Sequence, residues 1–443
     1  MSPPVDLVQS DPGLPERVRV VVIGGGIIGV TTALFLAEKG HSVALCEKGR
    51  IGGEQSSRNW GWCRKMGRDP REVPLAIEAL RLWPEMNTLI GAETGFRRSG
   101  IIYLCRTQRE LAKREVWLEQ VGKPFQLDTR LLTRDQINAA LPGLAGSWLG
   151  ALSTPSDGRA EPAHAAPAIA EAARRLGSTI LTRCAVRGIE TEGGRIAGVV
   201  TERGNIACEA VVLAGGVWSR LFCRPLGLRL PQLKVMSSVM RTEPLAGGPE
   251  ASAGGFGFGL RKRLDGGYTV ASWSGNVVDI VPDSFRFMRD FFPAMRMQRP
   301  ELRFRLGRRF VHDLVQPRRW KLDQPSPFEA ARVLDPPPHQ PILDQARTHV
   351  AAAFPVFRGM RIAETWGGMI DVTPDGVPVI SGVDAMPGFF IATGFTGHGF
   401  GIAPAAGRLM AELVAGETPV VDPAPFRYSR FSDGTRPEPS LLA

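Results

Sequence analysis

Long apolar runs are absent: no stretch of the 443 residues approaches the ~20 needed to cross a bilayer. The opening MSPPVDLVQSDPGLPER lacks the basic and apolar stretches of a secretory signal, and its prolines and acids read as a flexible lead-in over residues 1–16. Cysteine is sparse, and the six present (Cys46, Cys63, Cys105, Cys184, Cys208, Cys223) show no CxxC and no metal-ligand spacing. Reduced thiols, no metal and a cytoplasmic location are expected. No Ser/His/Asp or paired-carboxylate constellation stands out. Acidic residues are too few to balance the basic ones, leaving a formal net charge of +10. Much of that excess sits between Arg286 and Lys321, where ten arginines and one lysine face Asp290, Glu301 and Asp313, a net +8. Phe287, Phe291, Phe292, Phe304, Phe310 and Trp320 interleave with them. The segment suits nucleic acid, a peripheral membrane contact or a partner subunit, or else a solvated helical face with arginine stems over apolar surface.

What is present is a globular composition, 43% hydrophobic and 22% charged, over a length that implies two domains. The organising stretch is VRVVVIGGGIIGVTTALFLAEKGHSVALCEK, residues 18–48. A buried-strand pattern (Val18–Ile23) runs into Gly24-x-Gly26-x-x-Gly29, then a helix, then a second strand (Ser42–Cys46) ending on Glu47. This is the order of a dinucleotide site: glycines for the turn, for close approach to a pyrophosphate and for helix packing. The pyrophosphate meets the helix N-terminus, and the acid takes both ribose hydroxyls.

Residues 48–62 are too glycine-rich and polar for a regular element and too tryptophan-rich for an idle loop. They are placed either to run back under a flavin, with Ser56, Ser57 and Asn59 offering hydrogen bonds, or to form a surface loop that two tryptophans pin to the core. Residues 63–145 change character, with Arg64, Arg68 and Arg71 before a helix over 74–89, so a second domain begins there. A helix over 161–176 and strands over 178–181, 187–192, 198–202 and 207–213 return to the first fold, the last two strands as a hairpin arm. The final strand enters Ala214-Gly215-Gly216-Val217-Trp218. Antiparallel strands over 233–241, 257–262 and 267–273 leave it again. A third return brings Gly368, Met369, Ile370 and Asp371, a strand over 388–392, and Gly394-Phe395-Thr396-Gly397-His398-Gly399 before a helix over 405–414.

With these blocks the chain resembles the D-amino-acid oxidase family of FAD-dependent oxidoreductases, which includes glycine and sarcosine oxidases, D-amino-acid dehydrogenases and opine oxidase subunits. The similarity spans roughly residues 18–415, and its marks are the glycine-rich opening, EPAHAAPAIAEAARRLG, VVLAGGVWS, TPDGVPVI and FIATGFTGHGFGIAPAAGRLMAELV. It implies an α/β fold: a Rossmann-like FAD-binding domain of the glutathione-reductase type, interleaved with an α+β substrate domain on an antiparallel sheet. The expected divisions are 17–62, 146–225 and 355–416 for FAD, 63–145 and 226–354 for substrate, and a tail over 417–443. Non-covalent FAD is implied, held by Gly24, Gly26, Ile27, Ile28, Gly29, Glu47 and Lys48 at its ADP half, with Val186 meeting the adenine through its backbone. Gln55, Ser56, Ser57, Arg58, Asn59, Trp60, Gly61, Ala214, Gly215, Trp218, Gly368 and Met369 would line it further. Gly394, Thr396, Gly397, His398 and Gly399 would meet the flavin's pyrimidine edge.

One departure matters. Relatives acting on α-amino acids commonly carry a carboxylate-binding arginine where this chain has Ile370. Either another arginine takes that role, Arg58 or Arg64, or the substrate is not a simple D-amino acid; Arg58, Arg64 and Arg68 together point to an anionic amine such as an N-substituted amino acid or iminodiacid. Trp62, Ile370 and Asp371 complete the expected substrate contacts, with Asp371 drawing a cationic amine or orienting backbone. His398, Lys234 and Asp371 are the catalytic candidates, Lys234 as a promoter of oxygen reactivity. The expected reaction is oxidation of the C–N bond of an amino acid or secondary amine, with hydride passing to flavin N5, imine hydrolysis and reoxidation by O2. A flavin needs no protein base for this, which accounts for the missing constellations. The alternatives are a dehydrogenase that passes electrons to a quinone or partner, a tRNA-modifying flavoprotein, and a non-catalytic FAD-binding protein.

Overall fold

The computed structural model describes residues 2–273, 275–298 and 302–440. Arg299, Pro300 and Glu301 of the basic segment, and the last three residues of the tail, lie outside them.

Two sheets carry the molecule. In the first, strand Val20–Ile23 is buried at all four positions and pairs in parallel with Val43–Cys46 on one side and Ala210–Leu213 on the other. Thr179–Leu181 extends one edge; Phe389–Thr393, then the antiparallel Val379–Gly382, extend the other. A central parallel strand is covered on both faces, which is why it reads as an unbroken valine–isoleucine run. Helix Ile27–Glu38 buries every residue from Ile27 to Ala37, because helix Gly399–Ala415 closes over it. The contact is backbone-close: a Cβ at Gly407 would lie 2.6 Å from Thr31 Cβ.

The second sheet is built on strand Leu233–Thr242, paired antiparallel with Ile362–Val372 along nearly its whole length. It runs out through Tyr268–Ala271, Phe258–Lys262, Ser252–Gly255, Ile101–Cys105, Gly150–Thr154 and Arg130–Leu132. Asn276–Asp279 and Leu302–Arg305 form its other flank. Two of its pairings, 252–255 with 101–105 and 276–279 with 302–305, are parallel.

The structure differs from the sequence expectation at several places. Strands 150–154 and 362–372 belong to this second sheet, although both fall in stretches assigned to the FAD half. The single strand expected over 207–213 is two: Gly204–Ala207 completes a three-stranded meander with Val186–Glu192 and Arg195–Thr201, while Ala210–Leu213 enters the parallel sheet. The last helix begins at Gly399 rather than 405, since packing on Ile27–Glu38 outweighs the poor helix propensity of Gly399 and Gly401. The lead-in is not loose. Thr179–Leu181 is an edge strand, and the lead-in pairs with it: Asp11 N donates to Ile180 O (2.8 Å) and Ile180 N to Asp11 Oδ2 (2.6 Å), while Val8 is buried. Nor is the tail detached, because Phe426 and Phe431 are buried and Arg430 Nε is 3.1 Å from Asp375 Oδ2. Among the described residues no helix is long and apolar enough to cross a membrane, and no cluster of His, Cys, Asp and Glu could hold a metal.

Candidate active site

A cavity of about 570 Å3 follows the seam between the two sheets. Its floor is the carboxyl ends of the parallel strands, where Ile23, Cys46 and Leu213 give way to Gly24, Glu47 and Ala214. Its roof comes from the second sheet through Val235, Ser237, Val239 and Met369.

The glycine turn is shaped by close approaches. Gly24 has φ +110° and a Cβ there would lie 2.5 Å from Ala214 O; at Gly29 it would lie 1.9 Å from Gly24 O. Helix and strand can therefore touch only through glycine. Ser56 Oγ accepts the Ile27 N–H (2.8 Å), one of the unpaired donors that begin the helix. Glu47 accepts from Gly25 N (2.7 Å) and Gly49 N (2.6 Å); burial pushes its carboxyl up, against Lys48 and those two N–H groups.

Several polar groups expected to meet a ligand are committed within the chain. Asn59 accepts from Gly61 N (2.7 Å) and donates to Ser56 O (2.8 Å). Gln55 donates to Asp371 Oδ1 (2.8 Å) and accepts from Val217 N (2.9 Å). Lys48 Nζ is held by Glu54 Oε1 (2.6 Å) and lies over the Trp218 ring. Asp371 also accepts from Gly394 N (2.6 Å), Gln232 Nε2 (3.2 Å) and Thr393 Oγ1 (3.2 Å) at its other oxygen. It ties the 55–58 turn to the 393–394 turn. Arg58 is held at both terminal nitrogens: its guanidinium donates to Asp335 Oδ1 (2.7 Å), Gly367 O (2.7 Å) and Ser2 Oγ (2.6 Å), while its buried Nε has no partner. Gly29, Ser57, Gly61, Gly394 and Lys234 do not line the cavity. Lys234 alternates with the roof residues Val235 and Ser237, so it points to the other face of the sheet, 5.2 Å from the Trp218 ring centre. Burial, and Arg309 nearby, push it down to about 8.

The remaining expected residues do line the cavity: Gly24, Gly26, Ile27, Ile28, Trp60, Trp62, Arg64, Val186, Ala214, Gly215, Gly368, Ile370, Thr396, Gly397, His398 and Gly399 among them. Trp60 and Trp62 meet edge to face at 5.2 Å, and Tyr103 and Trp273 join them at 4.7 Å from each other. Beside this aromatic wall, four polar groups lack partners: Trp62 Nε1, Arg68 Nη1, Glu72 Oε1 and His398 Nδ1. His398 stands at the N-terminus of helix Gly399–Ala415, 3.7 Å from Glu72 Oε2. Burial, then Arg68 and Arg64, hold its imidazole well below the usual range, so it is neutral. Burial pushes Glu72 up to about 7 and Arg68 down to about 9. Glu72, Tyr103 and Trp273 were not expected from the sequence, and Arg68 was expected only as one of three arginines, with Arg58 and Arg64, that suit an anionic amine. Dense charge in KMGRDPRE, straight before a helix, was the one local signal for Arg68 and Glu72.

The family model for FAD-dependent oxidoreductases of the DAO type matches residues 19–413. The chain belongs to that family. This FAD-dependent oxidoreductase is 36% identical to L-amino acid deaminase from Proteus myxofaciens, solved in complex with anthranilate, with a TM-score of 0.93 and 98% of both chains covered. L-amino acid deaminase from Proteus vulgaris follows at 33% identity and TM-score 0.92, covering 96% of this chain and 100% of that one. Glycine oxidase from Pseudomonas aeruginosa is 26% identical over 418 residues, 92% of this chain and 98% of its own. The cofactor FAD suits the glycine-only approach at Gly24 and Gly29, the buried Glu47 and the unpartnered polar atoms along the cavity.

Proposed function

We propose that the protein oxidises the C–N bond of an amino acid or secondary amine. The observation that carries this reading is the set of unpartnered groups on Arg68, Glu72 and His398, facing an aromatic wall beside the 397–399 turn. Names of the relatives point the same way: amino-acid deaminases, glycine oxidases and sarcosine oxidase subunits. When bound, FAD supplies the acceptor for the substrate's α-hydrogen, taken as hydride at N5, after which water hydrolyses the imine. Gly24, Gly26 and Glu47 would hold its ADP half, Val186 its adenine, and Gly397, His398 and Gly399 its pyrimidine edge. At that edge the N-terminus of helix Gly399–Ala415 favours developing negative charge. The aromatic wall would orient the substrate and exclude water.

Two electron acceptors suit this reading, O2 or a membrane or partner acceptor. One feature favours the second. Of the seventeen exposed large apolar side chains among the described residues, nine fall between Phe285 and Val315, eight of them within the basic segment. A peripheral membrane or partner contact there would bring an acceptor close, on a protein otherwise in the cytoplasm.

The deciding experiment is anaerobic bleaching of the flavin by a panel of L- and D-amino acids, sarcosine, glycine, iminodiacetate, opines and polyamines. Bleaching by one class, with recolouring in air, establishes an oxidase. Bleaching without recolouring establishes a dehydrogenase. A flavin that no amine reduces removes the reading.

A further inference from the structure

An amine gives up its α-hydrogen as hydride only when its nitrogen is neutral, yet an alkyl amine in water keeps its extra proton up to about pH 10. That proton has to leave before the chemistry begins. Among the described residues six acidic side chains line the cavity, and five of them hold donors of the chain itself. Glu47 accepts from Gly25 N and Gly49 N, and Glu54 from Lys48 Nζ, Trp218 Nε1 and Leu334 N. Asp69 is paired with Arg71 (2.7 Å), Asp375 with Arg430 (3.1 Å), and Asp371 accepts from Gln55 and from Gly394 N. Glu72 is the sixth. Its Oε1 has no partner, its Oε2 stands 3.7 Å from His398 Nδ1, and that nitrogen has no partner either. No lysine or arginine of a described residue comes within 4.0 Å of its carboxyl. A buried polar atom left without a hydrogen bond is costly unless something arrives to complete it.

Glu72 is fixed where it stands. It precedes helix Val73–Ile90, its own N–H donates to Asp69 O (2.9 Å), and its side chain is 1% exposed. The charged and titratable groups that face it are Arg64, Arg68, Asp69 and Arg71 from its own loop, and His398 from the start of helix Gly399–Ala415. Burial outweighs the three arginines and raises its carboxyl to about 7. Burial, then Arg68 and Arg64, keep His398 neutral, so the imidazole does not compete as a cation for the carboxylate. A carboxyl poised there can take up a proton in one part of a cycle and return it in another at neutral pH.

We infer that Glu72 takes the proton of the substrate ammonium at Oε1, with His398 as its neutral neighbour. In that step an N–H bond breaks, its electron pair stays on nitrogen, and an O–H bond forms on Glu72; nothing is oxidised or reduced. The proton passes to solvent before the next turnover. This assignment rests on the C–N oxidation proposed for the same cavity, and it holds whatever other groups the amine carries.

The test uses the flavin-loaded protein and two amines, followed anaerobically by flavin bleaching across pH. One is an ordinary amine that reduces the flavin; the other is its fluorinated analogue, whose nitrogen is already neutral at pH 7. With the ordinary amine, the limiting rate of wild type is expected to rise with pH through an inflection near 7. Glu72→Gln should lose that inflection and slow at least tenfold at pH 8, yet reduce with the fluorinated amine within about twofold of wild type. Glu72→Asp, which keeps a carboxyl, should recover the inflection and part of the rate, and serves where the glutamine variant does not fold. Without any amine, the infrared difference between wild type and Glu72→Gln should show a protonated-carboxyl band at pH 5.5 that is gone at pH 8.5. An inflection that survives in Glu72→Gln overturns the assignment, as does the absence of that titrating band. Equal slowing with both amines also overturns it, since a merely structural carboxyl would slow both. These outcomes leave the C–N reading standing, whereas a flavin that no amine reduces at any pH removes that reading and this assignment together.

Discussion

Glu72 faces a neutral imidazole on one side and the Arg68 loop on the other, with its side chain 1% exposed. Its carboxyl is raised from 4.5 to about 7 by burial, with Arg68, Arg64 and Arg71 pulling down and Asp69 pushing up. Between those values the folded protein holds a proton that the unfolded chain has released, so this group makes stability fall as pH rises through that window and adds no slope beyond it. Glu72→Gln should flatten the fall between about pH 4.5 and about 7, seen as a smaller change in denaturant midpoint; an unchanged slope would show that Glu72 ionises freely in the fold. The same scale shows what a sequence can disclose. Gly24, Gly29 and Glu47 were legible because turn, helix packing and acid follow one another within one βαβ unit. The commitments of Arg58 and Asp371 were not. Arg58 is paired with Asp335 and donates to Ser2, and Asp371 is held by donors at 55, 232, 393 and 394, and no spacing along the chain reports partners so far away.

At the scale of elements, the segment that follows Asn276–Asp279 stands apart. Helix Arg308–Val315 buries none of its residues, and Leu306, Val311, Leu314 and Val315 are all exposed beside Arg308 and Arg309. Not all of the segment is presented: Phe287 is buried beneath Arg220 and Arg229, and Arg305 and Arg309 pair with Asp279. An amphipathic basic element of this kind suits a membrane interface, with its apolar face inward. The protein should co-sediment with phosphatidylserine–phosphatidylcholine vesicles at low salt and less at high salt. Changing Leu306, Val311 and Val315 together to serine should weaken binding about tenfold or more, each side chain adding ~1 kcal/mol at the interface. Vesicle binding untouched by the triple change would direct attention to a partner subunit on another face. The sequence showed this segment's charge but not its arrangement, because aromatic and basic residues alternate there without a single helical period.

At the scale of the molecule, the two sheets are joined by a buried ion pair. Arg261, on strand Phe258–Lys262, meets Glu161, at the start of helix Pro162–Arg175, and Glu161 also accepts from Leu264 N (2.9 Å). Glu161→Gln strands a guanidinium that is 1% exposed and should cost about 3–5 kcal/mol in urea unfolding. Changing both partners to apolar residues of similar size should cost much less, and equal losses would mean that the pair matters only by its volume. The interleaving of the chain has a consequence for how the molecule comes into being. Strand Val20–Ile23 takes its neighbour from 210–213, and that strand takes its own from 389–393. A nascent chain therefore cannot close the parallel sheet by folding its first half. At the rates of protein synthesis, roughly 10 to 35 s separate the emergence of the third of these strands from that of the second. Throughout that interval the apolar edge of Ala210–Leu213 has no native neighbour on its outer side. Protection on the ribosome, and not only stability once finished, is a condition of making this protein.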